Sequence, residues 1–189
     1  MIKNIAIFAS GDGSNAEVII EHFVDSDTAQ IALIVTNNAN AFVIERAKNH
    51  EIPCFLHSKE DADNGVLVAT MSEFEIKFIV LAGYLKRIHP DLIANFSNKI
   101  VNIHPALLPK FGGKGMYGMN VHRAVVEANE KTSGITIHYV NENYDEGNII
   151  EQHECIIPPN SSPEQVQKLV LELEHQYFAQ SIEMLLLKS

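Results

Sequence analysis

Ile5-Ala6-Ile7-Phe8-Ala9-Ser10-Gly11-Asp12-Gly13-Ser14-Asn15 reads as a buried strand that passes through a glycine turn into a helix. Its apolar residues are consecutive rather than alternating, so both faces of the strand are covered. Ser10 to Asn15 breaks the run, and a helical pattern follows with Ala16, Ile19, Ile20 and Phe23 on one face. A buried strand leading straight into an amphipathic helix is half of a parallel βαβ unit.

The alternation continues outward from this stretch. Strands are expected at Gln30–Val35, Pro53–Leu56, Phe78–Ala82 and Lys99–Ile103, and helices at Ala41–Asn49, Val66–Phe74 and, behind Pro90, Asp91–Phe96. The pattern then changes. Phe111–Asn120 is a loop rich in glycine and methionine, and Val121–Asn129 is a helix. Gly134–Val140 and Asn148–Ile157 are separated by a short acidic turn and read as a hairpin. Ser162 as N-cap, Pro163 at the first helical position and Gln165 three after the cap start a long final helix. Its apolar side carries Val166, Leu169, Val170, Leu173 and Tyr177. The expected fold is a single Rossmann-like α/β domain over residues 1–189. It has a mostly parallel sheet with helices on both faces and an antiparallel C-terminal hairpin.

Composition narrows the function. The chain has 189 residues, 46% of them hydrophobic and 20% charged, which suits one soluble domain with a sizeable core. A formal charge of -10 argues against a nucleic-acid backbone as the main partner. It leaves room for a small phosphorylated ligand held by backbone amides. No apolar run reaches the roughly 18–20 residues of a membrane span. The opening stretch Met1–Ala9 is too short for a signal peptide. Cys54 and Cys155 lie far apart and read as reduced thiols of a cytoplasmic protein.

Three places carry candidate chemistry. Gly11-Asp12-Gly13-Ser14-Asn15 opens a helix, where glycines permit a tight turn and the helix start offers N–H groups to an anion. It is either a phosphate cradle or a plain βα turn capped by Ser14 or Asn15. Gly11-x-Gly13-x-x-Ala16 also fits a dinucleotide fingerprint, which expects an acidic residue at the end of the second strand. That strand ends in Thr36-Asn37-Asn38, which argues against a nicotinamide oxidoreductase.

The second place is Asn102 and His104, two residues apart on one strand and therefore on one face. An imidazole can move a proton, and an amide can hydrogen-bond an oxygen that gains charge. The third is the acidic turn Asn141-Glu142-Asn143-Tyr144-Asp145-Glu146-Gly147. It is either a solvated hairpin tip or a turn from which one carboxylate, Glu142, Asp145 or Glu146, folds inward to orient His104 and raise its pKa. The histidines show no metal-ligand spacing. No serine sits at a nucleophile elbow. Lys86-Arg87 is the clearest basic pair, suited to a ligand carboxylate.

Gly11–Asn15, Leu81-Ala-Gly-Tyr-Leu-Lys-Arg87, Asn102-Ile-His-Pro-Ala-Leu-Leu-Pro109, Gly134-Ile-Thr-Ile-His138 and Asp145-Glu-Gly147 occur in an ordered set over nearly the whole chain. In order and spacing it resembles the phosphoribosylglycinamide formyltransferase family, whose stand-alone members have this length. The resemblance implies direct transfer of a formyl group from 10-formyltetrahydrofolate to the amine of glycinamide ribonucleotide, without metal or covalent intermediate. It implies that His104 moves protons, Asn102 stabilises the oxyanion and Asp145 pairs with His104. Gly11, Gly13, Ser14, Asn15 and Glu174 would hold the ribonucleotide. Leu85, Lys86, Arg87, Ile88 and Asn102, with Asn141, Glu142, Asn143, Tyr144 and Asp145, would border the folate. The Leu108–Pro109 bond is expected to be cis. The partners would be small molecules, with no nucleic acid or membrane, and the enzyme a monomer or homodimer. The alternatives are a formyltransferase for another phosphorylated amine and a non-catalytic nucleotide-binding module of the same fold.

The chain departs from the family in two places. Phe111–Asn120 carries four glycines and two methionines in a loop longer than in relatives. It is expected to cover the ribonucleotide and bring Lys114 to its phosphate or ribose. Lys59–Gly65 lacks an arginine that relatives place near the folate glutamate tail, and Asn64-Gly65 reads as a turn.

Overall fold

The computed structural model describes residues 2–188, so Met1 and Ser189, at the ends of the expected domain, lie outside it. The chain forms two compact units, one running to Val101 and including the C-terminal stretch from Ala179, the other Asn102–Phe178.

The first unit is a parallel βα array. Strands β1 (Lys3–Phe8), β2 (Ala29–Thr36), β3 (Cys54–Leu56) and β4 (Ile76–Leu81) alternate with helices α1 (Ser14–His22), α2 (Val43–Asn49), α3 (Lys59–Asp63) and α4 (Val66–Glu73). Helix α5 (Pro90–Asn95) follows β4. β1 pairs in parallel with both β2 and β4, placing Ile7 opposite Ile34 on one side and Val80 on the other, and β3 pairs with β2. Ile5, Ala6, Ile7 and Phe8 are all fully buried, which is why this strand carries no polar face. Ala16, Ile19 and Ile20 are the buried face of α1, and Phe23 closes it. Helix α3 was not expected. A reciprocal capping box nucleates it: the Ser58 hydroxyl accepts from the Asp61 N–H, and the Asp61 carboxylate accepts from the Ser58 N–H. Asn64 and Gly65 then make the expected turn into α4, with Gly65 in the left-handed region.

Strand β5 (Ile100–His104) crosses the boundary after Val101. The second unit holds helix α6 (Met119–Glu127) and strands β6 (Thr132–Tyr139) and β7 (Ile149–Ile156). β6 and β7 form the expected antiparallel hairpin, with Ile135 opposite His153. Helix α6 starts two residues earlier than expected, so Met119 and Asn120 belong to it and not to the loop. Helix α7 (Pro163–Lys188) begins with the expected box: the Ser162 hydroxyl accepts from the Gln165 N–H, and the Gln165 side-chain oxygen Oε1 accepts from the Ser162 N–H. Val166 and Val170 are buried, while Leu169, Leu173 and Tyr177 are half-buried. The architecture is thus α/β, with a parallel sheet followed by an antiparallel C-terminal hairpin. Among the described residues no helix is long and apolar enough to cross a membrane.

Candidate active site

The strand end that presents Asn102 and His104 is held by its neighbours in the second unit. Thr136 on β6 donates its hydroxyl to the Ala106 carbonyl (2.6 Å) and accepts the Leu108 N–H (2.9 Å). Gln152 on β7 donates to the Leu108 carbonyl (3.0 Å) and to the Thr136 hydroxyl (2.8 Å). The buried hydroxyl is thereby saturated as donor and acceptor, and the chain leaving His104 is fixed. The Leu108–Pro109 peptide is cis, as expected.

Asp145 is the carboxylate that folds inward. Its Oδ2 lies 3.5 Å from His104 Nδ1, and its Oδ1 lies 3.7 Å from His138 Nε2. Glu142 and Glu146 are exposed, and Glu146 accepts instead from the Asn143 side chain (2.8 Å). Asn141 stabilises the same turn by accepting the Asn143 N–H (2.9 Å). Tyr144 is exposed.

Two further contacts come from the loop after Pro109. The Phe111 carbonyl accepts from His104 Nε2 (2.8 Å), and the Gly113 N–H donates to Asp145 Oδ2 (2.8 Å). Gly112 is bare between them because a Cβ there would come within 2.5 Å of Leu108 Cδ2 and 3.3 Å of Asp145 Cβ. The start of the long loop therefore packs on the catalytic candidates, whereas Lys114 is exposed.

Burial dominates the electrostatics. It pushes the His104 imidazole below its ordinary pKa, and the pull of Asp145 and the Phe111 carbonyl only partly restores it. This corrects the expectation of a raised pKa: Asp145 acts in the expected direction, but desolvation is larger. Burial would raise the Asp145 carboxyl, yet the His138 and His104 imidazoles and the Gly113 N–H together hold it below the usual carboxylate range. His122 on α6 is buried, with no hydrogen-bond partner for Nδ1. Burial, then the neighbouring His104, push it down to about 4.

His138 was missed as a site residue. Its Nδ1 lies 2.8 Å from the Tyr139 carbonyl and its Nε2 lies 3.1 Å from Asn102 Nδ2. The signal was available: Gly134, Thr136 and His138 share one face of β6 by the period of two. Glu174 lies half-buried on α7.

The remaining candidates lie in the first unit. Gly13 is the left-handed N-cap of α1 (φ 77°) and no side chain caps the helix, so neither Ser14 nor Asn15 serves as the cap. Gly13 also lies against α2, where a Cβ would fall 2.6 Å from Val43 Cγ2. Arg46 braces the loop, donating to the Asp12 carbonyl (2.9 Å), the Asp12 carboxylate (2.9 Å) and Glu17 (3.0 Å). Ser10 ties the loop to the next candidate segment by accepting the Leu85 N–H (2.9 Å). Beyond Leu85, a cavity of about 540 Å³ is lined by Lys86, Arg87, Ile88, Lys59, His57 and Tyr84 among others. Leu85 is exposed and does not line it. The Tyr84 phenol lies 2.8 Å from His57 Nε2, and burial raises its pKa. Among the described residues, no group of three His, Cys, Asp or Glu side chains is arranged to hold a metal ion.

The formyl transferase family model matches residues 3–182. The phosphoribosylglycinamide formyltransferase of Bacillus subtilis (strain 168) is 35% identical over 191 residues, covering 98% of this chain and 95% of that protein. The chloroplastic phosphoribosylglycinamide formyltransferase of Arabidopsis thaliana is 41% identical over 187 residues, covering 95% of this chain and 64% of that protein. The chain therefore spans less than two thirds of that longer relative. The crystal structure of glycinamide ribonucleotide transformylase 1 from Geobacillus kaustophilus superimposes with a TM-score of 0.90 at 34% identity, covering 98% of this chain and 100% of that one.

Proposed function

The chain belongs to the formyl transferase family, and from that premise we propose that it is an enzyme of purine biosynthesis. The reaction moves the formyl group of 10-formyltetrahydrofolate to the amino group of N1-(5-phosphoribosyl)glycinamide, releasing formylglycinamide ribonucleotide and tetrahydrofolate. Membership of the family implies a folate-type co-substrate and small-molecule substrates. The observation that carries the reading is the convergence of Asn102, His104 and Asp145 at one sheltered strand end.

In this reading the substrate amine attacks the formyl carbon. The new C–N bond forms as the carbonyl π pair moves to oxygen, and an Asn102 N–H meets the developing charge. The oxyanion pair then re-forms the carbonyl as the bond from carbon to N10 of the folate breaks, and the pair of that bond stays on N10. His104 takes the proton that the amine loses and returns one to N10. A lowered pKa keeps His104 neutral and ready to accept, and Asp145 steadies the imidazolium that forms. In the structure Nε2 donates to the Phe111 carbonyl, so the neutral ring carries its hydrogen there; to take the substrate proton at Nε2 the ring gives up that carbonyl and holds its own hydrogen on Nδ1, toward Asp145.

Gly11, Gly13, Ser14 and Asn15 supply the uncapped helix start that suits a phosphate, with Glu174 as a further ribonucleotide contact. Lys114 is a candidate contact from the exposed part of the long loop. Leu85, Lys86, Arg87 and Ile88 and the turn Asn141–Asp145 border the folate. Lys59 joins Lys86 and Arg87 around the 540 Å³ cavity, offering a cation where the expected arginine is missing. The chain acts as one formyltransferase domain, as a monomer or homodimer in the cytoplasm, with no metal and no nucleic-acid or membrane partner.

The test is to mix purified protein with 10-formyltetrahydrofolate and a panel of amines and to follow tetrahydrofolate release. Release that requires glycinamide ribonucleotide supports the reading. Release only with a different amine, or none with any, overturns it.

A further inference from the structure

We propose that His138 is a positioning residue that fixes the orientation of the Asn102 amide, so that one Nδ2 hydrogen is spent on His138 and the other is left for the substrate oxygen. The inference deepens the formyl-transfer reading and rests on it.

His138 Nδ1 lies 2.8 Å from the Tyr139 carbonyl. A carbonyl oxygen only accepts, so Nδ1 carries a hydrogen. In the neutral ring Nε2 is then a bare acceptor, the reverse of the tautomer an unconstrained imidazole prefers. Among the described residues Nε2 faces two polar side chains, Asp145 and Asn102. Asp145 Oδ1, at 3.7 Å, is too far to accept a hydrogen bond and draws a hydrogen to Nε2 only in the charged ring, the form in which His138 lowers the Asp145 carboxyl, while the Asn102 side chain lies at 3.1 Å. A bare nitrogen needs a donor, so the Asn102 group facing it is the NH2 and not the carbonyl.

This settles a choice that Asn102 cannot make alone. Its amide could present either its oxygen or its nitrogen to the substrate side by turning about its last side-chain bond, and only the nitrogen can stabilise an oxyanion. The His138 side chain is 3% exposed and its ring is held by a main-chain atom. The chain of contacts from Tyr139 through His138 to Asn102 is thus a one-way relay of hydrogen-bond polarity, ending in the Asn102 NH2, whose second hydrogen remains for the substrate. His138 touches no reacting atom in this account and acts only through Asn102.

Nitrogen-15 NMR of the ring tests the tautomer in the unaltered protein. The geometry predicts a protonated Nδ1 and a bare Nε2. An Nε2–H tautomer or an imidazolium would overturn the proposal, because either puts a hydrogen where Asn102 must donate. Kinetics test the coupling. His138→Ala is expected to lower kcat by about 10- to 100-fold, less than loss of the oxyanion donor itself, with the KM of both substrates little changed. His138→Gln, which restores an acceptor, is expected to recover part of the loss. Adding His138→Ala to Asn102→Ala is expected to cost nothing further. Losses that multiply in the double variant, or a His138→Ala enzyme with full kcat, would overturn the proposal. If unaltered enzyme transfers no formyl group at all, the functional reading fails, whereas the ring measurement judges the positioning claim separately.

Discussion

Asp145 Oδ2 stands 3.5 Å from His104 Nδ1, and the two side chains are only 12% and 4% exposed. Two opposing effects meet there. Burial favours the neutral imidazole, and the carboxylate favours the charged one. Removing the carboxylate leaves burial opposed only by the Phe111 carbonyl. Asp145→Asn is therefore expected to move the His104 ionisation in the pH–rate profile to lower pH and to slow turnover by about 10²-fold or more. An unchanged profile would show that Asp145 does not tune His104.

The loop proposed for phosphate depends on Gly13. Its φ of 77° disfavours any side chain, and a Cβ would meet Val43 Cγ2 at 2.6 Å. Gly13→Ala should cost about 1–2 kcal/mol of local strain before any clash is counted. The KM for the ribonucleotide should rise while the KM for the formyl donor holds. Steady-state kinetics with each substrate varied in turn separates the two, and a rise confined to the donor would contradict the assignment.

Lys59 is exposed, so the attraction proposed between it and a folate carboxylate would be screened. Lys59→Ala should raise the KM for a donor bearing the glutamate tail by about 1.5- to 5-fold, with the effect fading at high salt. A donor lacking the tail carboxylates should be insensitive to the substitution. Equal effects on both donors would remove Lys59 from that role.

His122 links stability to acid. Its folded pKa is pushed down to about 4 from the ordinary 6.5, so between these values the unfolded chain binds more protons than the folded one. The stabilisation is complete above the unfolded pKa and is lost as pH falls through about 4. Urea unfolding at about pH 7 and about pH 4.5 should show a smaller acid loss for His122→Leu than for the unaltered chain. An equal loss in both would mean that His122 does not contribute.

Much of this was legible because it is periodic. The run Ile5–Phe8 announces a strand covered on both faces, and the two-residue spacing of Asn102 and His104 places them on one face. The box Ser162–Gln165 marks the start of α7. What was not legible depends on distance in space. Helix α3 is a single turn held by Ser58 and Asp61, too short to show an apolar period. Spacing alone leaves Glu142, Asp145 and Glu146 equivalent; the family resemblance singles out Asp145, and the fold turns that residue inward. The pKa of His104 was misjudged in sign because a neighbouring charge can be guessed from a turn, whereas depth of burial cannot. His138 was visible as part of a motif, but its contact with Asn102 joins β6 to β5 across 36 positions of sequence.

The central claim is that Asn102 and His104 carry out formyl transfer at this strand end. Single-turnover transfer from 13C-formyl-labelled 10-formyltetrahydrofolate to glycinamide ribonucleotide tests it most directly, using the unaltered enzyme, Asn102→Ala and His104→Ala. The account predicts label on the ribonucleotide amine with the unaltered enzyme. It predicts a barrier about 2.7–4 kcal/mol higher for Asn102→Ala and a rate lower by about 10²–10⁴-fold for His104→Ala. Transfer at the unaltered rate by either variant, or no label on the ribonucleotide with any of the three, would contradict it.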